Sequence, residues 1–306
     1  MRSALLWVSQ NQQLRESLPR YRFFRKAVSR FMPGEEVEDA LGAAEKLRQY
    51  GIATILTYLG ENVNDEGEAI KVAQYYSSLL DDIHARRLDC HVSPKLTQLG
   101  LDLDRELCFS NLKAIAQHAV TLNNRVWIDM ESTQYTDVTL EIFRRARSEH
   151  ENIGLCIQSY LYRTGDDLKS LFSLSPAVRL VKGAYAEPPE KAFQQKKDVN
   201  DNFMLLSREL LSTAGQNAAV PAFATHDHKL IQHIKREAEA MGLSKEMYEF
   251  QLLYGIRREE QIALANDGYR IRVLISYGSY WFPWYVRRLA ERPANLMFVL
   301  RNLFVR

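Results

Sequence analysis

The chain has 306 residues, of which 46% are hydrophobic and 25% charged. These proportions are typical of a soluble globular protein and exclude disordered, collagen-like and disulfide-scaffold classes. With 40 basic and 38 acidic residues, the net charge of +2 gives no general attraction to nucleic acid. The only cysteines, Cys90, Cys108 and Cys156, contain no C-x-x-C pair, which favours reduced thiols over a disulfide or zinc framework. The apolar run Ala4–Val8 is shorter than an export signal or a membrane span, so we expect a cytoplasmic protein.

Charge is concentrated at the start of the chain. Residues 1–30 contain seven basic side chains and one acid, a local charge of +6. Aromatic residues such as Tyr21, Phe23 and Phe24 are interleaved with them, which favours packing of this segment on the rest of the protein. The alternative is peripheral contact with the anionic inner face of a membrane. We therefore divide the chain into a basic helical arm, residues 1–35, and a single catalytic domain, residues 36–306.

After the arm, short β-branched or apolar runs alternate with segments of helical periodicity. The strand-like runs are Ile52–Tyr58, Cys90–Lys95, Arg125–Met130, Ile153–Ser159, Val178–Ala184, Val220–Thr225, Tyr248–Tyr254 and Ile271–Ser276. The helical segments are Asp65–Arg87, Asp104–Leu122, Thr136–His150, Val199–Leu211, His228–Met241 and Arg257–Asn266. Eight alternations predict an α/β fold, a (β/α)8 barrel of the TIM type. An open doubly wound sheet is disfavoured because the G-x-G-x-x-G fingerprint is absent.

Barrel enzymes carry their functional residues where strands end. The polar residues at the predicted strand ends are Glu61, Lys95, Asp129, Glu131, Gln158, Lys182, Thr225, His226, Asp227, His228 and Tyr277. Arg179 lies near the start of the fifth strand, where an inward charge needs a buried partner. Any one of these residues can equally be a hydrogen-bonded strand-end group without catalytic function.

Two kinds of site follow from these residues alone. Lys182 on a barrel strand is suited to Schiff-base formation, as in an aldolase. His226 and His228 share one strand face and suggest a metal-dependent hydrolase. Such a metal site needs a further inward ligand, and the eighth strand ends in Leu274–Tyr277 without one. We therefore expect no metal and interpret His228 as a helix-start residue.

The last helical segment, Tyr280–Glu291, combines aromatic residues with two adjacent arginines. Helical spacing places Trp281, Trp284, Arg288 and Glu291 near one face, with Arg287 beside it. A solvated charged helix explains paired arginines. A lid that binds a carboxylate explains them equally, because guanidinium groups bind carboxylates through two parallel hydrogen bonds.

Several segments, in this order along the chain, resemble one family. They are Arg30–Gly34, Tyr58–Glu61, Arg179–Tyr185, Phe223–His226, Tyr248–Gly255 and Arg287–Glu291. From about Phe31 to the C-terminus the sequence resembles the flavin-dependent proline dehydrogenases. The resemblance implies a distorted (β/α)8 barrel that holds FAD against its strand ends, in agreement with the missing dinucleotide fingerprint.

The resemblance also implies the reaction. A hydride moves from the ring carbon next to nitrogen of L-proline to N5 of FAD and leaves the imine 1-pyrroline-5-carboxylate, in the first step of proline catabolism. The electrons then pass to a quinone. The NAD-dependent aldehyde dehydrogenase module of bifunctional relatives has no room in 306 residues. A separate aldehyde dehydrogenase is therefore expected to act on the product.

Roles for individual residues come from the same match. Arg287 and Arg288 would hold the substrate carboxylate, with Lys95 as a third cation, while Asp129 positions substrate and relays a proton. Arg179 would lie beside the isoalloxazine ring, and Glu61 would pair with Arg288 across the entrance. Leu274 and Tyr277 are assigned to the substrate pocket. The expected cofactor contacts are Met130, Gln158, Arg179, Lys182, Gly183, Ala184, Tyr185, Thr225, His226 and Glu291.

Two positions depart from the family pattern. Leu274 replaces a tyrosine that usually packs on the substrate ring, and Ser276 replaces a usual proline. A leucine makes the pocket roomier and more apolar. The alternative substrates are therefore 4-hydroxyproline and another cyclic imino acid, such as a six-membered ring analogue.

Overall fold

The computed structural model describes residues 30–60, 63–215, 220–282 and 285. The basic arm up to residue 29 and the four site candidates Glu61, Arg287, Arg288 and Glu291 lie outside these residues. In the described ranges, eight parallel strands pair in chain order, and the first pairs with the last to close a barrel. The predicted (β/α)8 fold is therefore confirmed.

The strands and helices alternate around the barrel. The strands are β1 Ala53–Tyr58, β2 Cys90–Val92, β3 Val126–Ile128, β4 Ile153–Gln158, β5 Ala177–Val181, β6 Ala222–Ala224, β7 Glu249–Leu253 and β8 Arg270–Tyr277. The α-helices are α1 Val37–Arg48, α2 Glu66–Ala85, α3 Arg105–Thr121, α4 Thr136–Glu149, α5 Thr164–Lys169, α6 Lys196–Leu211, α7 His228–Ala240 and α8 Arg258–Asn266. Short 3-10 turns cover Leu96–Leu99, Thr133–Tyr135 and Phe172–Leu174.

The sequence patterns missed α1 and α5. Helix α5 has only six residues, too few for a helical period to show. Helix α1 precedes the first strand and packs against β1 and β8. Strands β2 and β3 are shorter than predicted because residues from Ser93 and Asp129 onward turn into the loops that carry polar side chains.

Period-two alternation places side chains on two faces of each strand. On β8, Val273 and Ile275 belong to the main core between barrel and helices, whereas Leu274 packs on a separate cluster inside the barrel. The other members of this interior cluster are Ile55, Trp127, Ala177 and Ala222. Gly154 makes room for the largest of them, since a Cβ there would lie 2.6 Å from the Trp127 ring.

The interior of the barrel also holds a buried ion pair near the amino-terminal ends of the strands. Arg272 Nε donates to both carboxylate oxygens of Glu249 at 3.2 Å. Its Nη1 donates to the Thr54 carbonyl at 3.0 Å and to Asp89 Oδ1 at 2.8 Å. Arg272 and Glu249 are both buried. This end of the barrel is therefore filled by paired charges, which the sequence analysis did not predict.

The segments flanking the barrel meet near the end of β7. Trp281 Nε1 donates to Glu35 Oε1 at 3.0 Å, and the rings of Phe31 and Tyr285 lie 6.0 Å apart. The Arg30 carbonyl approaches Gly255, which adopts a φ of +72° and has no space for a Cβ. Trp281 is thus a buried residue that anchors this segment on the barrel.

Two further properties concern the described residues only. None of their helices has the length and hydropathy of a membrane-spanning segment. Cys90, Cys108 and Cys156 are buried and are not joined in disulfides.

Candidate active site

The loops after β2 and β3 and the middle of β5 bring together three of the predicted residues: Lys95, Asp129 and Arg179. The backbone after β2 pairs with the backbone after β3, where Asp129 N donates to the Pro94 carbonyl at 3.1 Å and Lys95 lies opposite Asp129. From β5, Arg179 Nη2 donates to Asp129 Oδ1 in an ion pair. The half-buried Asp129 is therefore the partner that the position of Arg179 required.

The ion pair keeps Arg179 charged inside the barrel. Only 2% of Arg179 is exposed. Burial alone would lower the pKa of Arg179, yet the carboxylate of Asp129 raises it above its ordinary value. The second guanidinium nitrogen, Nη1, is buried and has no hydrogen-bond partner among the described residues. A buried donor of this kind leaves one strong hydrogen bond for a bound molecule.

Trp127 forms the surface beneath Arg179. The guanidinium carbon lies 5.3 Å from the centre of the indole ring, within the range of a cation–π interaction. Trp127 Nε1 donates to His91 Nδ1 at 3.1 Å. Burial, followed by the charges of Arg272 and Arg125, holds the pKa of His91 well below its usual range. A neutral His91 accepts this hydrogen bond and fixes the indole in place.

Ser93 joins both members of the Asp129–Arg179 pair. Arg179 Nη2 donates to Ser93 Oγ at 3.1 Å, and Ser93 Oγ donates to Asp129 Oδ1 at 2.9 Å. The sequence analysis missed this residue. Its available signal was spacing, because Ser93 lies two positions before Lys95 and alternate strand residues share a face.

Gln158 lies at the end of β4. Its Nε2 donates to the carbonyls of Met130 and Glu131 at 3.4 and 3.2 Å, while its Oε1 is buried without a partner among the described residues. Gln158 Oε1 and Arg179 Nη1 are thus an unsatisfied acceptor and an unsatisfied donor on neighbouring strands. Both atoms are therefore available to form hydrogen bonds with a bound molecule.

Lys182 is held in an ion pair. Its Nζ donates to Asn200 Oδ1 at 2.7 Å and to Asp227 Oδ2 at 3.2 Å. Burial opposes the negative charge of Asp227, but the Lys182 ammonium lowers the pKa of that carboxyl below its ordinary value. Asn200 and Asp227 therefore hold the Lys182 amine in place, and this geometry gives no support to the Schiff-base alternative.

The two histidines at β6 point to different partners. His226 Nε2 accepts from Leu253 N at 3.3 Å, and His228 Nδ1 lies 2.8 Å from Glu260 Oε1 at the exposed start of α7. In the described part of the chain, no three His, Cys, Asp or Glu side chains are grouped as metal ligands. The metal-hydrolase alternative therefore has no site there.

The remaining predicted cofactor contacts follow β5 and β6, except Met130, which follows β3. Gly183 has a φ of +110°, and a Cβ would lie 2.4 Å from the Tyr160 ring, so packing against Tyr160 already requires glycine. Ala184 and Tyr185 follow in a half-buried loop. Thr225 Oγ1 accepts from Asp227 N at 3.1 Å. The side chain of Met130 packs in the main core.

The two residues assigned to the substrate pocket lie on opposite faces of β8. Leu274 is inside the barrel, packed on the cluster that contains Trp127. Tyr277 is fully buried between the barrel and α2, where its hydroxyl lies 2.9 Å from that of Tyr75. The structure does not bring Tyr277 together with Asp129 and Arg179, and this placement gives no support to a substrate contact.

The hydrogen bonds of Glu131 give this predicted strand-end residue a structural role. Its two carboxylate oxygens accept from Thr97 Oγ1 at 2.8 Å and from Thr97 N at 3.2 Å. It therefore anchors the 3-10 turn that follows Lys95.

Known proteins of one family resemble this chain over most of its length. The family model described as proline dehydrogenase matches residues 40–301. Proline dehydrogenase 1 of Bacillus subtilis subsp. natto is 40% identical over 304 residues, which is 99% of both chains. Proline dehydrogenase of Deinococcus radiodurans is 38% identical over 307 residues, 99% of this chain and 97% of the relative.

Larger proteins share the fold over part of their length. The crystal structure of proline utilization A from Bdellovibrio bacteriovorus, inactivated by N-propargylglycine, superposes with a TM-score of 0.82 at 23% identity. The match covers 99% of this chain and 39% of that one. The bifunctional protein PutA of Escherichia coli is 25% identical over 317 residues, and the match spans 24% of its length. The family model and the full-length relatives together show that this chain belongs to the proline dehydrogenase family.

Proposed function

We propose that this enzyme oxidises L-proline to 1-pyrroline-5-carboxylate with bound FAD. The observation that carries the proposal is the ion pair between Asp129 and the buried Arg179, with Lys95 opposite Asp129, on the side of the barrel where β2 and β3 end. Full-length relatives that are named proline dehydrogenases support the choice of substrate.

The cations of the site would hold the substrate carboxylate. Lys95 is 7% exposed at the end of β2, and Arg287 and Arg288 lie outside the described residues. A carboxylate shared among three cations has little charge left to stabilise an ammonium. The ring amine is therefore bound in its neutral form, which can release hydride.

Asp129 would orient the ring nitrogen. Both hydrogen bonds that the structure gives to its carboxylate end on Oδ1. Oδ2 is then the oxygen that accepts from the substrate N–H and takes part in proton relay. Arg179 supplies a fixed positive charge where negative charge develops during the transfer.

The fit to FAD rests on the two unsatisfied buried atoms, Arg179 Nη1 and Gln158 Oε1. When bound, FAD accepts the hydride from the ring carbon next to nitrogen. Arg179 and Gln158 would form hydrogen bonds to its ring. The other proposed contacts, on the resemblance alone, are Met130, Lys182, Gly183, Ala184, Tyr185, Thr225, His226 and Glu291.

The electron acceptor follows from the family resemblance as a quinone. The +6 charge of residues 1–30 supports peripheral contact with the inner membrane face, with otherwise cytoplasmic location. Full-length protein should then co-sediment with anionic vesicles more than residues 31–306 do, and less so as salt increases. Equal vesicle binding by the two proteins would indicate that residues 1–30 pack on the rest of the protein and do not bind lipid. The imine product would pass to a separate aldehyde dehydrogenase.

The absorption spectrum of purified protein tests the central proposal. We expect yellow protein whose flavin band is bleached by proline without oxygen, with an imine as product. Asp129→Asn should retain FAD and be reduced more slowly. Colourless protein that FAD cannot reconstitute would refute the assignment.

A further inference from the structure

We propose that Ser93 is a positioning residue that fixes the Asp129 carboxylate and the Arg179 guanidinium for proline oxidation. The inference rests on the proposed function, because it concerns the same two residues. Ser93 is fully buried, and its hydroxyl is within hydrogen-bond distance of both.

The backbone of Ser93 is held on both sides. Ser93 N donates to the Leu56 carbonyl at 2.9 Å. The Ser93 carbonyl accepts from Thr57 Oγ1 at 2.8 Å, and Tyr76 OH lies 3.5 Å from it. Strand β1 and helix α2 therefore fix the position from which the hydroxyl reaches the pair.

The number of available protons determines which group the Ser93 hydroxyl donates to and which group it accepts from. An arginine has no acceptor atom, so the contact at 3.1 Å must be Arg179 donating to Ser93 Oγ. The hydroxyl has one proton, and its acceptors are Asp129 Oδ1 at 2.9 Å and the Trp127 carbonyl at 3.4 Å. The shorter contact, to the charged acceptor, is favoured. Ser93 therefore donates to Asp129 while it accepts from Arg179.

This arrangement makes a three-membered network in which each pair of members is joined directly. Two donors on Oδ1 determine the plane of the Asp129 carboxylate and direct Oδ2 away from the pair. Without the hydroxyl, one donor remains, and the carboxylate can rotate about its bond to Cβ. Arg179 Nη2 also loses an acceptor. We therefore expect slower hydride release with little change in substrate binding.

The test compares Ser93→Ala and Ser93→Cys with the full-length holoenzyme. Cysteine has similar volume but is a weak hydrogen-bond donor. Both variants should retain FAD, lower kcat about tenfold, and change KM less than about threefold. The flavin midpoint potential should become more negative, because Arg179 stabilises the reduced ring less well. Ser207→Ala is the control, since Ser207 is equally buried but bonds to the Phe203 carbonyl within α6.

The outcomes separate this inference from the proposed function. If Ser93→Ala and Ser93→Cys turn over at the wild-type rate while Asp129→Asn is slow, Ser93 has no positioning role. If all three variants are as fast as wild type, the proposed site itself is wrong. An equal loss in Ser207→Ala would show that only packing was disturbed. If Ser93→Ala fails to bind FAD, Ser93→Cys decides by the same criteria.

Discussion

At the scale of single residues, we expect the Asp129–Arg179 ion pair to contribute both to the stability of the fold and to catalysis. Arg179 is almost completely buried, whereas the side chain of Asp129 is 20% exposed. Removing one partner of a buried pair leaves an uncompensated charge, which costs more than the pair contributes. The two groups to which we assign catalytic roles therefore also link the residue after β3 to β5.

Asp129→Asn should lower the free energy of unfolding by about 3 kcal/mol, because Arg179 remains charged and buried without its counterion. Urea denaturation of the holoenzyme measures the change. Asp137→Asn is the matched control, since Asp137 pairs with Arg163 at 2.6 Å but is 82% exposed. The control should change stability by less than about 1 kcal/mol. Similar losses in both variants would show that Arg179 does not depend on Asp129.

Leu274 is the residue for which we predict an effect on substrate choice. It packs with Trp127 inside the barrel, and Trp127 lies beneath Arg179. Leucine leaves this wall apolar and without a hydroxyl where relatives of the resembled family usually have tyrosine. A substrate hydroxyl that enters such a pocket without a partner is disfavoured by about 1–3 kcal/mol.

Leu274→Tyr should increase selectivity for proline over 4-hydroxyproline and pipecolate, because the larger ring restricts the pocket. The measurement is kcat/KM for the three substrates in both proteins, with thermal unfolding to detect overpacking. Leu252→Met is a control on β7, since Leu252 faces the main core. An unchanged order and ratio of preferences would mean that Leu274 does not line the pocket.

At the scale of elements, the residue that precedes α7 holds a lysine of the candidate site in place. Asp227 caps α7 by accepting from Lys229 N at 3.2 Å and pairs with Lys182 through its other oxygen. The Asp227 side chain therefore caps α7 and also pairs with Lys182, which directly follows β5. Asparagine retains the capping oxygen and removes the charge.

Asp227→Asn should destabilise the protein by about 1 kcal/mol near neutral pH. The folded-state pKa of Asp227 is lowered, so its ion pair adds stability above the unfolded value near 3.9 and loses it as pH falls through the folded value. The difference between wild type and variant should therefore shrink below about pH 4.

Asp65→Asn is the control for this pH dependence. Asp65 caps α2 by accepting from Glu68 N at 2.9 Å and has no ion pair among the described residues. Its substitution should change stability little at neutral pH. A loss in Asp227→Asn that stays constant from pH 7 to pH 3 would contradict the assigned ion pair.

At the scale of the whole molecule, charges close the barrel at the end opposite the site. Arg272 joins β8 to Glu249 on β7, to the Thr54 carbonyl on β1 and to Asp89 before β2. Four neighbouring strand segments are thus linked through one guanidinium. This network lies at the junction where the first and last strands must meet.

Arg272→Met should destabilise the protein by about 3–5 kcal/mol, because Glu249 stays buried without a cation. Arg272→Met combined with Glu249→Met should recover much of this loss, since no unpaired charge remains. Unfolding midpoints of the two variants provide the comparison. Arg105→Met, which breaks an exposed pair with Glu141, should leave the midpoint nearly unchanged. A double variant no more stable than the single would show that the network is needed for barrel closure itself.

The sequence by itself determined the class of fold and much of the candidate site. Hydrophobic periodicity is local, so eight strands and most helices could be located within a few residues. Parallel strands of a barrel end at the same rim, so Lys95 and Asp129 were predicted to converge without knowledge of any distance, whereas Arg179 was predicted only to need a buried partner. Motif order along the chain indicated the family that the comparisons confirmed.

Only the tertiary structure decided which face and which partner each residue has. Period two distinguishes two faces of a strand but does not say which one points inward, so Tyr277 was assigned to the pocket although it bonds to Tyr75 on α2. Ser93, Trp127 and His91 have no distinctive sequence neighbours, and their hydrogen bonds at the site reach residues 34 to 86 positions away. The Arg272–Glu249 pair could not be predicted from the sequence for the same reason. Local sequence sets periodicity and strand ends, whereas burial and hydrogen bonding depend on residues that only the closed barrel brings together.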